Sequence, residues 1–394
     1  MSKLNDVVIV SAKRTPIGSF QGVFSNFSAH KLGALVIKSL IEETKIDKTA
    51  VDEVIMGNVL SAGQGQAPAR QAALGSGLPN SVECLTINKM CGSGLKAVMI
   101  ASQAIQAGDA EIIIAGGMEN MSQAPYLLPK ARSGYRLGNG EFIDSIIKDG
   151  LWDAYNDKHM GTCAEMCVNK NSFSREDLDN FAKISYERAI HAQENNLFIE
   201  EIVPVTVSHR KSDDQIINND EEPSRVNFKK MPLLKPAFED NGSITAANAS
   251  KINDGAAALM LMAREKANSL GLKPLVSIMA QASASHEPEW FTTAPLKAIS
   301  STLKKGNLNS NDIDLWEINE AFGPVVMAAI KEYKLDHNKV NIHGGAIALG
   351  HPIGCSGARI LTTLIHAMIK REARTGLATL CIGGGEASAI LVRR

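Results

Sequence analysis

The chain has 394 residues, 44% of them hydrophobic, which is enough to bury a sizeable core and to divide into two or three domains. Its 41 Lys and Arg stand against 42 Asp and Glu, a formal net charge of -1, so no basic excess exists to hold a nucleic-acid backbone, although local basic groups can still hold a small phosphate ligand. No run of 18 or more uniformly apolar residues reads as membrane-spanning, and the lead from Met1 to Val10 lacks the long apolar segment and cleavage signal of a secreted protein.

The first predicted strand is VVIVSA, Val7 to Ala12, followed by apolar residues at helical spacing from Ala29 to Glu43. VDEVIMGNV (Val51 to Val59) reads as a second strand. Apolar runs near helices recur at Ile112 to Ala115, Ile313 to Ile318 and Leu377 to Ile382. This alternation predicts an α/β fold with strands covered on both faces.

An internal repeat is visible. Asp52 in VDEVIMGN matches Asp314 in IDLWEINE at an offset of 262, and Ser93-Gly94-Leu95-Lys96 matches Ser356-Gly357-Ala358-Arg359 at an offset of 263. Each of the second pair opens an apolar helix that leads into a short strand ending in glycines, Gly116-Gly117 and Gly383-Gly384-Gly385. Two similar halves are expected, with glycine-rich turns at equivalent ends of two sheets. The stretch from about Ser122 to Ala246 breaks the rhythm, with GYRLGNGEF, HRKSDDQIINNDEEP and LLKPAFEDNG. It reads as a covering subdomain or as ordinary surface insertion. The expected division is 1–121 and 247–272 for the first half, 122–246 for the inserted segment and 273–394 for the second half.

Six cysteines spread over so long a chain do not form a disulfide framework, and they fit a reducing compartment. Cys163 and Cys167, four apart, can share a helix face, but no nearby Cys or His pair completes a zinc set, so no metal is expected. Cys91 lies just before an apolar helix in TINKMCGSGLKAVMIASQAI. Unpaired N–H groups and the helix dipole stabilise a thiolate there, and Gly92 and Gly94 permit a sharp turn and close approach by a substrate. The alternative is a buried thiol among small residues.

His351 sits among glycines in HGGAIALGHPIGCSGAR, a crowding that suits a ligand approaching the backbone. It can take a proton from a cysteine, or be a structural histidine. Cys381 precedes Gly383-Gly384-Gly385, whose N–H groups can hold an oxyanion, and reads as a proton donor or acceptor or as a small buried apolar group. Asn319 and Glu320 follow an apolar strand in WEINEAFGP, where they can bind substrate, orient a neighbour or cap a helix. No GxxxxGK[ST] phosphate loop and no GxSxG elbow is present.

Seven segments in order resemble the thiolase family over essentially the whole chain, in its biosynthetic acetyl-CoA acetyltransferase type. They are RTPIG (14–18), NKMCGSGLKA (88–97), GGMENMSQAPY (116–126), WDAYNDKHMG (152–161), NEAF (319–322), GGAIALGHPIGCSGAR (344–359) and CIGGG (381–385). The resemblance implies the duplicated thiolase fold with a loop domain covering the coenzyme A site, homotetramers or sometimes dimers, and reversible condensation of two acetyl-CoA to acetoacetyl-CoA in the cytoplasm. It implies that Cys91 carries the acyl group after His351 deprotonates it, and that Cys381 removes the proton from the second acetyl group. One oxyanion site is then His351 with a water held by Asn319, and the other is the N–H groups of Cys91 and Gly383. His159, Ser250 and Ala246 fall on the acyl-CoA site, with Arg225 toward its nucleotide end and Phe291 in the acyl pocket. The Gly134–Gly138 loop is similar to the part that assists tetramer assembly. Coenzyme A thioesters are substrates, and no tightly bound cofactor is implied.

The chain departs from the family pattern at Lys251 and Thr292, where glycines are usual, at Phe291 for a methionine, at Gly323 for an alanine and at His343 for an asparagine. Lys251 is expected to reach solvent or a phosphate, or to crowd the tunnel, and Phe291 to narrow the acyl pocket. These changes raise two variants of the reading: a shifted acyl-chain preference, or a weakly active coenzyme A-binding protein. A decarboxylating ketoacyl synthase or a hydroxymethylglutaryl-CoA synthase fits less well, because the late cysteine of CIGGG stands where decarboxylating synthases use histidine.

Overall fold

The computed structural model describes residues 6–208 and 213–394. The start of the charged stretch, His209–Ser212, and the first five residues lie outside them. The main sheet contains β1 (Val7–Arg14), β2 (Glu53–Gly57), β3 (Glu83–Ile87), β4 (Ile112–Asn120), β5 (Asn253–Ala263), β6 (Val276–Ser285), β7 (Leu315–Ile318), β8 (Thr375–Ile382) and β9 (Glu386–Arg393), in the spatial order β7-β8-β9-β6-β1-β5-β4-β2-β3.

The repeat read from sequence reappears as topology. In the first half β2 runs parallel to β4, which pairs antiparallel with β5, which pairs antiparallel with β1. In the second half β7 runs parallel to β8, then β9 and β6 follow antiparallel in the same sequence. The halves join where β1 meets β6 at Val8–Ser277 and Ile9–Val276.

Strand residues alternate between two apolar environments, because side chains point to opposite faces with period two. On β1, Val7 and Ile9 face a core shared by both halves, whereas Val8 and Val10 face a separate core under α1 (Ala29–Thr44). On β8, Ala378 and Leu380 face the shared core and Leu377 faces a third. The shared core is filled by α2 (Ser93–Ala107) and by α3 (Ile353–Lys370), which is buried continuously from Ile353 to Met368. The two halves of the sheet thus enclose the helix pair, and a separate apolar core lies on the outer face of each half.

Glycines let the central helices touch. A Cβ on Gly94 would lie 2.8 Å from the Ala358 nitrogen, and one on Gly357 would lie 2.3 Å from the Leu95 nitrogen. The two matched Ser-Gly steps are therefore the crossing point of α2 and α3, and the crossing is reciprocal. One expectation fails nearby. Gly116-Gly117 is no turn: β4 continues through both to Asn120. A Cβ on Gly117 would stand 2.0 Å from the Gly354 oxygen, so glycine there admits the first turn of α3 onto the strand. Only Gly383–Gly385 forms a turn, between β8 and β9.

Between β4 and β5 the chain leaves the main sheet for the helices Met160–Asn171 and Arg175–Glu194, with short two-stranded pairings between Tyr126 and Ile217. Substituting Gly357→Ala should cost about 2–3 kcal/mol of stability, since a methyl group would meet backbone that cannot turn aside. The shift in denaturant midpoint measures this, and a midpoint equal to that of the parent chain would show that the crossing tolerates separation.

Candidate active site

The nucleophile candidate stands on an elbow. Met90 takes a left-handed φ of 47°, a conformation that costs energy for a side chain of this size. Ser93 holds it there: its hydroxyl accepts from the Lys89 N–H at 2.8 Å and donates to the Met90 carbonyl at 2.6 Å. Cys91 follows, and α2 begins two residues later. Gly92 makes room for Ile382, not for a substrate, because a Cβ would lie 2.3 Å from the Ile382 side chain.

The glycines around His351 likewise face protein rather than ligand. Cβ atoms on Gly345, Gly350 and Gly354 would strike Glu320, Asn253 and Glu119 respectively. Those buried side chains pull the loop in. Glu119, at the end of β4, accepts from the Gly354 N–H at 2.8 Å, from the Val59 and Leu60 N–H groups and from the Asn58 amide. Burial pushes its carboxyl up to about 7, although the N–H groups pull the other way. The His351 N–H donates to Asn253 Oδ1 at 2.9 Å, and Glu320 accepts from the Ile347 N–H at 3.1 Å, from Ser185 and from Asn341. Glu320 thus orients its neighbours.

The tautomer of His351 follows from one hydroxyl. Ser356 Oγ donates its single hydrogen to the Pro352 carbonyl at 2.9 Å, so it must accept from His351 Nδ1–H at 2.6 Å. Nε2 is left with its lone pair. Asn319 Nδ2 lies 3.5 Å from both ring nitrogens, so the amide does not point along the Nε2 lone pair, and its Oδ1 is buried without a protein partner.

A cavity of about 530 Å³ brings most of the expected residues together. Cys91, His351, Gly383, His159, Ser250, Ala246, Phe291 and Arg225 all line it. Cys381 and Asn319 are buried behind its wall, 1% exposed each. Cys381 is close enough to Cys91 for their charges to interact. Ser250 donates both its N–H and its hydroxyl to the Ala321 carbonyl, at 3.0 and 2.7 Å, which sets it against the segment that carries Asn319. His159 caps the helix Met160–Asn171 by accepting from the Gly161 N–H at 3.0 Å on Nδ1, which leaves Nε2–H free to donate. Its ring stacks on Phe238 at 4.8 Å. Arg225 is bound to Glu221 at 3.3 Å in an exposed position. Phe291, 3% exposed, packs edge-on against Phe322.

Electrostatics alter one expectation. Burial pushes the Cys91 thiol up to about 11, although the N–H groups of Gly383 and Cys91 pull its sulfur back. Desolvation therefore outweighs the helix start, and the resting side chain is a thiol. Burial, and then Arg359, push His351 down to about 3, so its ring rests neutral. Burial, and then Cys91, raise Cys381 well above an ordinary thiol. Cys91 and His351 thus both rest uncharged on the cavity wall, and the N–H groups of Gly383 and Cys91 are directed at the Cys91 sulfur. Sequence reading missed Ser356, Glu119 and Phe238. The first sits in the repeat motif, but nothing local marks the other two.

Alkylation of Cys91 by iodoacetamide should keep rising with pH to about pH 10 without an inflection near the ordinary histidine range. A plateau above neutral pH in the measured rates would instead indicate a preformed thiolate–imidazolium pair.

Comparison with known proteins agrees with the fold. The family model for the thiolase N-terminal domain matches residues 7–265, and that for the thiolase C-terminal domain matches residues 272–394. The chain is 50% identical over 392 residues to an acetyl-CoA acetyltransferase of Pseudomonas aeruginosa, covering 99% of this chain and 100% of that protein. Among solved structures it is similar to the Acat5 thiolase from Ascaris suum in complex with coenzyme A, with a TM-score of 0.94 and 46% identity over 99% of this chain and 100% of that one. It is also similar to the Bacillus anthracis acetyl-CoA acetyltransferase, with a TM-score of 0.97 and 39% identity over the whole of both chains. The chain belongs to the thiolase family, in its acetyl-CoA acetyltransferase type.

Proposed function

We propose that this protein catalyses the reversible condensation of two acetyl-CoA molecules to acetoacetyl-CoA and free coenzyme A, through an acetyl group carried on Cys91. The observation that supports this most directly is the convergence of Cys91, His351 and the Gly383 N–H on one apolar-walled cavity, with Cys381 directly behind it.

In the first half-reaction, His351 Nε2 takes the Cys91 proton as the sulfur attacks the acetyl carbonyl. The carbonyl oxygen draws on the N–H groups of Cys91 and Gly383. Cys381 gives its proton to the departing coenzyme A sulfur and becomes a thiolate facing the His351 imidazolium. In the second, Cys381 takes a proton from the methyl carbon of the incoming acetyl-CoA, and the carbanion attacks the acetyl-Cys91 carbonyl. The enolate oxygen lies against His351 and a water held by Asn319, whose buried Oδ1 offers an unused acceptor. His351 then returns its proton to the Cys91 sulfur, and every group regains its resting state. Acyl-CoA enters along the wall of Ser250, Ala246 and His159, under the 122–246 loop domain, with Arg225 toward the nucleotide.

The exposed Leu137 within the Gly134–Gly138 loop and Phe142 just after it support assembly into a homotetramer, with a dimer as its smaller unit. Six free cysteines fit a reducing compartment, the cytoplasm.

Incubation with acetyl-CoA should give an acetyl adduct on Cys91 by peptide mass spectrometry, and Cys91→Ala should abolish both adduct and turnover. Coenzyme A binding without any adduct in the parent chain would leave a binding protein in place of an enzyme. Phe291 walls the cavity, which favours chain-length selection at that position. Phe291→Ala should raise kcat/KM for longer 3-ketoacyl-CoA about tenfold relative to acetoacetyl-CoA. An unchanged ratio across a chain-length series would remove Phe291 from specificity.

A further inference from the structure

Lys251 lines the cavity between Ser250 and Ile252, and its ammonium is engaged by protein oxygens. It turns inward. Its ammonium donates to the Tyr186 hydroxyl and to the Ile347 carbonyl, the latter at 3.1 Å, and lies 4.9 Å from the centre of the Tyr186 ring. Tyr186 belongs to the helix Arg175–Glu194, and Ile347 lies in the short turn of helix Ala346–Leu349 that leads into Gly350 and His351. One cation therefore joins three segments: the wall that carries Ala249 and Ser250, the long helix outside the main sheet, and the loop that delivers His351.

A buried ammonium needs partners, and removing it leaves their oxygens unpaired. Burial pushes Lys251 down, and Glu222, a carboxylate lining the same cavity, pushes it back up. Tyr186 is pushed up by burial and by Glu222 and Glu320, so its hydroxyl remains a phenol that can accept from the ammonium. Two residues further along the chain, Asn253 accepts the His351 N–H at 2.9 Å and donates to Glu222 at 3.4 Å. Lys251 and Asn253 thus grip the 347–351 loop at both ends from one stretch of chain.

We propose that Lys251 is a positioning residue: a built-in internal cation that sets the spacing between the acyl-CoA wall at Ser250 and the base His351. This rests on the reading of the cavity as the acyl-transfer site. The ammonium is held by oxygen ligands, so its role is that of a small monovalent cation tethered at a fixed place. Truncating the side chain opens an oxygen-lined space of about the size of a small ammonium ion.

Lys251→Met keeps the hydrophobic stem and removes the charge. It should lower the rate of Cys91 acetylation roughly 10- to 100-fold and raise the KM for acetyl-CoA in a chain that still folds. Lys251→Ala should show the same loss, with methylammonium restoring a substantial part of the acetylation rate and tetramethylammonium, too large for the space, restoring none. Parent-like acetylation and KM in Lys251→Met would overturn the proposal, as would equal effects of the two ammonium ions on Lys251→Ala. If Lys251→Met does not fold, the Lys251→Ala comparison decides alone, and failure of both variants to fold would assign Lys251 to stability and overturn a positioning role. The acetyl adduct on parent Cys91 is measured alongside. Its absence would count against the acyl-transfer reading and not against the placement of the cation.

Discussion

The close approach of two buried helices governs this molecule. Helices α2 and α3 cross at Gly94 and Gly357, where each glycine faces a backbone nitrogen of the other helix. Cys91 stands three residues before the first of these glycines, and His351 six before the second. A side chain at either glycine would push the helices apart, and with them the segments that carry Cys91 and His351. The packing of the shared core and the assembly of the site are one constraint.

Buried polar groups around the cavity turn that approach into a defined geometry. Ser93 holds the strained Met90, Ser356 fixes the His351 tautomer, and Glu119 ties the first turn of α3 to β4. These groups are costly to bury unpaired, and each has its partners supplied by backbone N–H and C=O groups close by. The site gains precision from interactions that never touch substrate. The low-dielectric setting they create also explains why the cysteines and His351 rest uncharged.

Much of this was legible in the sequence. The strand runs, the internal repeat and the motifs around Cys91, His351 and Cys381 all have local signatures of hydrophobic period or small-residue spacing. Glycine was the harder residue to read. A glycine beside a functional group looks the same whether a ligand or another helix fills the space, and around Cys91 and His351 the space is filled by Ile382, Ala358, Glu320, Asn253 and Glu119. Gly116-Gly117 misled for the same reason, since the helix that crowds β4 there is more than two hundred residues away in the chain. The inward turn of Lys251 was illegible because its partners, Tyr186 and Ile347, come from distant segments and share no pattern with it.

The crossing also separates backbone from side chain. Aligning the matched Ser-Gly steps sets Cys91 opposite Gly354, and His351 opposite Asn88. The step that brings the two helices together is therefore kept in both halves, while the side chains ahead of it differ. Because the two helix starts share one point of contact, a change that moved either of them would move the other with it.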